Sequence, residues 1–433
     1  MKKIILTALM FAATVGADAQ WIRVWSGGES TRYAISDAAT LPYTAAGSTL
    51  TIGSDTYATA AIDSITVVNP VTVTWNGTTA SVDIPATAEG VTATVSGADV
   101  VINNTSTTIE HEFILRGSSS AGSLTYNGDY KTKFHLDGLS LISATGGAID
   151  IQCGKRIDLI LVDGTTNSLA DAATGTQKAA FNCQGHLEVS GSGSLTVVGN
   201  ARHAIRSNEY LFLKKNTGTI TVTKAASDGI HVGEYLQMNG GTITISGTAA
   251  DGLQVETDAT STEELNGQFI MNGGTINVTL AAEDAKAIRL DADATDASIV
   301  PQMQLLDGTV SVSLTATANG SKGIASDGNM IIGSATTAPT VGITVAAGTY
   351  TDPTTAEENR ATGIKADLTL TIAGGTTTVK ATGTKSRGVR ATTLTATGGS
   401  LTVTNTGSKS QGIKLDNTFV SGQGGTVSGS FKY

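Results

Sequence analysis

A two-part phrase that repeats from about residue 140 to the C-terminus constrains this 433-residue chain more than any other feature. Its first half places a small residue before an apolar one and then an outward polar one, as in Gly388-Val389-Arg390. Its second half is Gly-Gly-Thr followed by alternating apolar residues, as in Gly240-Gly241-Thr242-Ile243. Where no insertion intervenes, successive first halves are spaced by steps such as 25 residues from Ala204 to Gly229. A fixed period of this size is typical of a solenoid.

The repeat unit has a β pattern. Short runs of Ile, Val, Leu and Thr alternate apolar and polar residues and are separated by Gly, Asn, Asp and Ser, and no window carries a convincing amphipathic helix. A unit of about 24 residues fits one coil of a parallel β-helix, with three short strands stacked on the next coil at about 4.8 Å. We therefore predict an all-β chain in which residues 71–433 form a parallel β-helix of about ten or more coils. The alternative is a β-sandwich with accidental periodicity.

The N-terminus has the features of a secretory signal. Lys2 and Lys3 precede an apolar run, and Ala17-Asp18-Ala19 provides a cleavage site, so residues 1–19 are predicted to be removed after Ala19. We expect an exported protein, in the periplasm, at the cell surface or outside the cell, because no later apolar stretch is long enough to cross a membrane. Residues 20–70 lie outside the repeat and predict a small β module or docking arm.

The net charge bounds the possible partners. The full chain carries a formal charge of -10, and removal of residues 1–19, with two lysines and one aspartate, makes it -11. Nucleic-acid binding needs a basic face to meet the phosphates. The sequence therefore argues against DNA or RNA as a partner.

The two cysteines, Cys153 and Cys183, each lie four residues before an apolar phrase, at Ile157 and Leu187. That spacing places them one coil apart, within reach of a disulfide, which an exported protein can form. A buried pair of stacked thiols is an equally good interpretation. Two cysteines alone make no zinc site.

A column of basic residues is the main candidate for a ligand-binding face. Aligned on the small residue of the repeat, the outward positions are Asp150, Asn182, Arg206, His231, Gln254, Arg289, Ala325, Lys365, Arg390 and Lys414. Six of the last eight are Arg, His or Lys, in a chain with only 27 Lys and Arg. Like charges stacked across strands repel, and a bound polyanion such as a uronate-containing glycan would compensate them. The neighbouring small residues are expected to make a shallow groove.

Acidic residues two places further on offer a purely structural explanation of the column. Residues two apart on a strand share a face, so the pairs Arg289–Asp291, Lys365–Asp367 and Lys414–Asp416 are expected to form surface ion pairs. Both interpretations of the column remain open at this point.

Carboxylates also gather between residues 250 and 300. Glu256 aligns with Asp291 and Asp258 with Asp293 one coil later. Asp228, which lies before this range, and Asp251 both precede the small residue of the repeat and could hold a second ion between coils. Stacked carboxylates are unfavourable unless they are solvated or bridged by a cation, and calcium accepts six to eight oxygens in loose geometry. These six residues are the predicted calcium ligands, and solvated acidic loops are the alternative.

Two tyrosines occupy equivalent positions in neighbouring coils. Tyr210 and Tyr235 are expected to stack, with His186 one coil earlier. Such a stack can form a platform for sugar rings or a ladder that stabilises the coils.

Several phrases resemble a family of secreted carbohydrate-binding proteins first described in a cellulose-degrading clostridium. The most specific is Asp163-Gly164-Thr165-Thr166-Asn167-Ser168-Leu169, joined by Glu112-Phe113-Ile114-Leu115-Arg116-Gly117-Ser118, Leu136-Asp137-Gly138-Leu139 and the Asp-Gly-Ile phrase at Asp228. The resemblance covers roughly residues 72 to 430. It implies a right-handed β-helix close in fold to pectate lyases, binding of cellulose-like and acidic polysaccharides, bound calcium and no known catalysis. This chain departs from the pattern where Lys286, Lys322, Thr362, Arg387 and Gln411 replace the repeated Asp.

Three functions remain in competition. The leading hypothesis is an exported, non-catalytic polysaccharide-binding protein stabilised by calcium. A calcium-dependent lyase is the enzyme alternative, with Arg206 or Arg289 as the candidate base. A structural or adhesion solenoid is the third. The sequence gives neither the glycan nor the oligomeric state.

Overall fold

A computed structural model describes residues 21–27, 29–34, 43–46, 48–52, 54–293, 295–296, 298–421 and 424–432. The predicted signal segment, residues 1–19, lies outside the described residues. The described part consists of β-strands and connecting turns, which confirms the all-β prediction. It contains no helix long and apolar enough to cross a membrane.

Two small antiparallel sheets come first. One is formed by β1 (Trp21–Ser26), β2 (Glu29–Ala34) and β6 (Ile62–Val68), and the other by β3 (Tyr43–Ala46), β4 (Thr49–Ile52) and β5 (Asp55–Ala58). Ile22, Val24, Leu50 and Ile52 bury a small core between them. This segment therefore has an apolar core of its own before the first strand of the main domain begins at Val71.

The main domain is a parallel β-helix, because its strands pair in parallel with the strand about one coil later rather than with the next strand in the chain. Three sheets run along it. The strands of sheet 1 are Asp99–Asn104, Ser123–Gly128, Ile149–Gln152, Ala179–Cys183, His203–Ser207, Ile230–Val232, Leu253–Val255, Lys286–Leu290, Lys322–Ser326, the first parts of Thr362–Ala381, Arg387–Asn405 and Gln411–Ser421, and Phe431–Lys432.

Sheets 2 and 3 complete each coil. Sheet 2 contains Val71–Asn76, Glu112–Ser119, Thr132–Ile142, Ile157–Leu161, Leu187–Ser190, Leu211–Leu213, Leu236–Met238, Gln268–Met271, Gln302–Leu305, Asn329–Ile332 and the following parts of the three long strands. Sheet 3 contains Thr166–Ala170, Ser194–Gly199, Thr219–Ala225, Thr242–Ile245, Thr275–Leu280, Thr309–Leu314, Thr340–Val345, Thr426–Ser428 and the ends of Thr132–Ile142, Thr362–Ala381 and Arg387–Asn405.

Two features interrupt this regular stacking. Thr79–Asp83 and Val91–Ser96 pair antiparallel with neighbouring strands at the start of the domain. Thr349–Thr351 and Glu358–Arg360 form a hairpin in an insertion next to sheet 1. The insertion explains the longer repeat step in this region, since the flanking strands remain in register.

Inward apolar residues hold the coils together. Ile230, Leu253 and Ile288 are paired in successive coils of sheet 1 and are fully buried, and equivalent ladders line the other two sheets. Continuous burial of this kind supplies the main favourable term in folding. The alternation that buries these residues turns the intervening ones outward and so creates columns on the surface.

The small residues of the repeat face the interior, which corrects the expectation of a groove. A Cβ atom on Gly388 would lie 2.2 Å from Val403 Cγ1, and one on Gly252 would lie 2.4 Å from the carbonyl oxygen of Ala287. Small residues are needed there because sheet 1 approaches side chains of sheet 3 and the backbone of the next coil. The repeated Gly is therefore a packing requirement of the coil.

Candidate functional site

The predicted column exists on the outer surface of sheet 1. Arg206, His231, Gln254 and Arg289 are direct neighbours in successive coils, and Lys365, Arg390 and Lys414 continue the series after Ala325. The strand alternation puts these side chains outward, and the coil period stacks them. The geometry of the column therefore follows from the sequence pattern, whereas its binding role stays a prediction.

Many of its charges are neutralised within the protein. The three expected pairs form: Arg289 contacts Asp291, Lys365 Nζ lies 2.9 Å from Asp367, and Lys414 Nζ lies 2.5 Å from Asp416. Asp416 also accepts a hydrogen bond from Arg390 at 3.2 Å. These cations have internal partners, so the column by itself is partly a ladder of ion pairs.

Arg206 and Gln254 have different surroundings. Arg206 donates hydrogen bonds to the side-chain oxygens of Asn182 and Asn208, and burial lowers its pKa below the usual range. Gln254 is buried and donates to Asp291 at 2.8 Å. Arg206 thus presents a charge without a carboxylate partner among the described residues, whereas the amide of Gln254 is used inside the protein.

A compact group of cations lies beside the C-terminal half of the column. We call it the cationic pocket, a concavity of about 130 Å³ lined by Lys322, Glu358, Asn359, Arg360, Thr362, Lys365, Arg387 and Arg390. Five of these eight residues are Lys or Arg and one is acidic. The insertion hairpin supplies Glu358 and Arg360, while Lys322, Thr362 and Arg387 are stacked neighbours of sheet 1. The pocket is therefore positive on the surface of an acidic protein.

Two cations of the pocket have neutral hydrogen-bond partners and no ion pair among the described residues. Lys322 Nζ donates to the carbonyl oxygen of Gly320, and Arg387 Nε donates to Gln411 Oε1 at 3.0 Å. Burial, reinforced by nearby cations, lowers the pKa of Lys322 to about 8 and that of Arg387 to about 10. Buried cations without counter-charge are costly, so an anion in the pocket would stabilise them.

A polar groove, lined by one carboxylate (Asp150), one lysine (Lys178) and otherwise uncharged residues, lies near the other end of sheet 1. Its volume is about 420 Å³, and its lining includes Ser123, Thr125, Asp150, Gln152, Asn182 and Gln184. Asn182 Nδ2 donates to Asp150 Oδ1 at 2.7 Å, and Gln152 donates to the same carboxylate at 2.8 Å. Amides and hydroxyls in this arrangement offer both donors and acceptors, as sugar hydroxyls require.

The predicted calcium ligands are mostly engaged with protein donors. Asp228 Oδ1 accepts the backbone N–H of Asp251 at 3.0 Å, and Asp251 Oδ1 accepts that of Lys286 at 2.7 Å. Asp251 Oδ2 lies 3.0 Å from Arg289. These two aspartates therefore tie successive coils together and do not fit a calcium cage of six to eight oxygens.

The remaining predicted ligands give a similar picture. Asp258 Oδ1 accepts from the backbone N–H and hydroxyl of Thr260, and Asp293 Oδ2 accepts from the N–H of Ala259 at 2.9 Å. Glu256 instead faces His231 at 3.5 Å. Burial raises the pKa of Asp291 to about 6 despite Arg289. Within the described ranges, these carboxylates form no group of three that converges on one ion. Calcium at these residues remains a prediction.

The predicted aromatic stack is present but buried. The rings of Tyr210 and Tyr235 stack with centroids 4.7 Å apart, and His186 lies 4.4 Å from Tyr210. Tyr210 and Tyr235 are 9% and 8% exposed. A sugar platform needs an open ring face, so this arrangement favours a stabilising ladder.

The possible disulfide is not formed. Cys153 and Cys183 are free, buried thiols that donate to different carbonyl oxygens, those of Tyr130 and Gly185. The register pairs Cys183 with Ile151, because the corner before Ile157 contains two residues more than the corresponding corner one coil later. The equal spacing to the next apolar phrase was therefore misleading about which residues face each other.

The comparison with known families agrees with the geometry of the coils. The sequence model of a family described as carbohydrate-binding domain-containing protein matches residues 96–412, most of the β-helix. The chain belongs to this family. The predicted family resemblance is thus confirmed, and membership in the carbohydrate-binding domain-containing family supports polysaccharide as the partner.

Among solved structures, one similar chain is described as a polysaccharide lyase-like protein from C. thermocellum, determined as a gadolinium derivative. The sequences are 22% identical, the TM-score is 0.49, and the match covers 63% of this chain and 99% of that chain. No curated protein matches the sequence.

Sequence reasoning missed the cationic pocket and His203. Lys322 and Arg387 were visible as replacements of the repeated Asp. Ile205 pairs with Ile230, and His203 and Asp228 each lie two residues earlier, so these two residues hold equivalent positions in successive coils. That alignment was the available signal. Arg360, in contrast, lies on an insertion outside the repeat, and no periodic pattern could place it.

Proposed function

We propose that the protein is an exported, non-catalytic binder of acidic polysaccharide that uses the outer surface of sheet 1. The observation that carries this proposal is the cationic pocket, in which Lys322 and Arg387 are half-buried or deeper and form no ion-pair contact with a carboxylate among the described residues. A uronate carboxylate is the anion that a polysaccharide most directly provides. Family membership supports the choice of a carbohydrate over other anions.

The pocket suits a carboxylate on chemical grounds. A guanidinium presents parallel N–H donors that match two carboxylate oxygens, and an ammonium adds a point charge. Hydrogen bonds to charged groups contribute about 1.5–3 kcal/mol each when water is excluded. Arg387 and Lys322 are the proposed direct contacts. Arg360 and Arg390 are proposed to keep the pocket positive, although Arg360 lies 3.7 Å from Glu358 and Arg390 is shared with Asp416.

The polar groove would bind the uncharged part of a longer chain. Stacked neighbours lead from Asn182 through Arg206, His231, Gln254, Arg289 and Ala325 to Lys365. These six steps of about 4.8 Å span ~29 Å. A glycan reaching from the groove to the pocket would therefore pass Arg206, a cation that lacks a carboxylate partner in the described structure. We expect affinity to rise with chain length until this span is covered.

The test is retention of the purified protein in affinity gels. The gels contain polygalacturonate, its neutral methyl ester, a neutral cellulose derivative or no glycan, each with calcium and with chelator. Arg387→Gln and Lys322→Met are compared with Lys380→Gln, an exposed lysine on sheet 3. We expect retention by polygalacturonate alone, loss in the two pocket variants and no change in the control.

Each other outcome has a defined meaning. Retention by no glycan would overturn the binding proposal and favour a structural solenoid. If the pocket variants are retained as strongly as the wild-type protein, the glycan binds another face of the protein. New absorbance from an unsaturated product would establish a lyase, for which Arg206 is the better candidate because carboxylates, against the effect of burial, raise the pKa of Arg289. Retention that requires calcium would support the prediction that the protein binds a calcium ion.

A further inference from the structure

Three side chains that are not part of the cationic pocket converge in the middle of sheet 1. His203 and Asp228 stack in successive coils, and His231 lies on the same strand region three residues after Asp228. The Nδ1 atoms of His203 and His231 lie 3.1 Å and 3.2 Å from the same oxygen, Asp228 Oδ2. The two imidazole rings are stacked with centroids 4.5 Å apart. All three side chains are largely buried.

Hydrogen bonding within the protein leaves this group incomplete. Asp228 Oδ1 already accepts the backbone N–H of Asp251, so Oδ2 is the oxygen directed at the histidines. His203 is 3% exposed, and its Nδ1 has no well-formed hydrogen bond in the described structure, although Asp228 Oδ2 lies 3.1 Å away. A buried polar atom without a partner costs free energy. This nitrogen lies beside Asp228 Oδ2, the same oxygen that His231 Nδ1 approaches.

We infer that His203, Asp228 and His231 form a binding site for a divalent transition-metal ion, with Zn²⁺ as its simplest occupant. One ligand atom from each residue lies within 4.8 Å of the others. Zn–N and Zn–O bonds of 2.0–2.1 Å in a tetrahedron separate the ligand atoms by ~3.3 Å, close to the two observed distances. Water or a glycan oxygen would take the fourth position.

The donor set distinguishes this site from the predicted calcium sites. Two imidazole nitrogens and one carboxylate oxygen suit zinc, nickel, cobalt or copper, whereas calcium takes six to eight oxygens. Asp228 Oδ2, which contacts Nδ1 of both His231 and His203, is the carboxylate oxygen that an ion would share with the imidazoles, since Oδ1 accepts the backbone N–H of Asp251. The same residue that was predicted to hold calcium therefore belongs to a nitrogen-rich site.

Glu256 has the position of a supporting residue. Its Oε2 lies 3.5 Å from His231 Nε2, the ring nitrogen that faces away from Asp228. A carboxylate at the second nitrogen keeps the proton there and leaves Nδ1 free to bind a metal. Glu256 would thus act through His231 as a positioning residue, without touching the ion.

The test uses the purified, metal-depleted full chain and measures Zn²⁺ binding by calorimetry, with Ca²⁺ as a separate probe. We expect one Zn²⁺ per chain, no competition by Ca²⁺, and X-ray absorption of the Zn²⁺ complex that reports two imidazole nitrogens. Glu256→Gln should weaken binding about 10- to 100-fold, and His203→Gln and His231→Gln should weaken it more. His186→Gln is the matched control, because His186 pairs with Glu209 elsewhere on the surface.

Two results would overturn the inference. One is wild-type protein that binds no stoichiometric Zn²⁺. The other is stoichiometric binding that survives both His203→Gln and His231→Gln, which would place the ion elsewhere in the protein, at His186 if His186→Gln alone abolishes it. The absorption measurement needs only wild-type protein, so it decides the ligand type even if a variant fails to fold. None of these outcomes depends on glycan retention.

Discussion

Lys322 and Arg387 lie in one column of sheet 1 with Thr362 between them, and among the described residues neither forms an ion pair with a carboxylate. Other cations of sheet 1 are paired: Lys365, at the edge of the same pocket, and Lys414 lie within 2.9 Å of an aspartate. The contrast separates charges that serve the fold from charges available to a ligand.

Replacement of Arg387 should reduce glycan binding without cost to the fold. Arg387→Gln removes a guanidinium that is half-buried among other cations, and the lost charged hydrogen bonds correspond to about 10- to 100-fold weaker binding of polygalacturonate. The unfolding temperature should not fall, because repulsion with Arg390 and Arg360 is relieved. Affinity electrophoresis and thermal unfolding measure the two effects. A variant with a lower unfolding temperature and unchanged binding of polygalacturonate would contradict both expectations.

Binding should weaken as the pH rises through about 8. Burial lowers the pKa of Lys322 to that value, and Lys286, Lys365 and Arg387 add to the effect while Asp284 opposes it. Loss of the proton removes a charge from the pocket, so retention by polygalacturonate should fall between pH 7 and about 9.5, allowing for a modest pKa rise when the anion binds. Lys322→Arg, which stays charged, should flatten the profile.

The stability of the unliganded protein should change in the opposite direction. Between about pH 8 and 10.5, unfolded Lys322 retains a proton that the folded protein has lost. Folding is therefore favoured as the pH rises through this range. Denaturant midpoints at constant ionic strength, compared with Lys322→Met, isolate the contribution of this residue. If the denaturant midpoints of the two proteins change equally with pH, Lys322 makes no contribution to the pH dependence of stability.

Asn167, within the phrase most specific to the family, should be important for stability. Its side chain is fully buried, its Oδ1 accepts the backbone N–H of Leu139 at 2.8 Å, and its Nδ2 donates to the carbonyl oxygen of Ser194 at 3.0 Å. Asn167→Ala leaves both backbone groups unpaired and should destabilise by about 2–5 kcal/mol. Ser168→Ala, which removes a half-buried hydroxyl, should cost under ~1.5 kcal/mol. Denaturant unfolding compares them.

A buried ion pair joins the N-terminal segment to the β-helix. Glu112 contacts Arg23 and accepts a hydrogen bond from His135 Nε2 at 2.8 Å. Glu112→Ala leaves the Arg23 charge uncompensated and should cost about 3–5 kcal/mol. Although burial opposes it, His135 and Arg23 hold the pKa of Glu112 below 4.5, so its contribution is present above that pH and lost as the pH falls. Limited proteolysis near residue 70 reports release of the segment.

The thiols should be inert in the folded protein. Burial raises the pKa of Cys183 to about 12 and also raises that of Cys153. Neither should react with iodoacetamide until the protein unfolds, and a reducing agent should leave the unfolding midpoint unchanged. Mass spectrometry after alkylation in denaturant should find two labels. If neither cysteine is labelled in denaturant, the two cysteines form a disulfide.

The sequence alone determined the β-helix and the members of each column. Period-two alternation assigns a residue such as Arg206 to the outer face, and the coil length places it beside His231. Both rules are local, so they can be read from spacing. The expected ion pair Lys365–Asp367 follows from the same rules, since residues two apart on a strand share a face.

Tertiary structure decided which of these residues are free to act. The cationic pocket needs Arg360 from an insertion, the pair Arg23–Glu112 joins residues 89 apart, and Asp228 is divided between a backbone N–H and two histidines. Two extra residues in one corner moved Cys153 away from Cys183. Such contacts depend on where loops fold back and on which atoms are already hydrogen-bonded. A repeat fixes neighbours within a column, whereas burial and competition for partners are settled only in three dimensions.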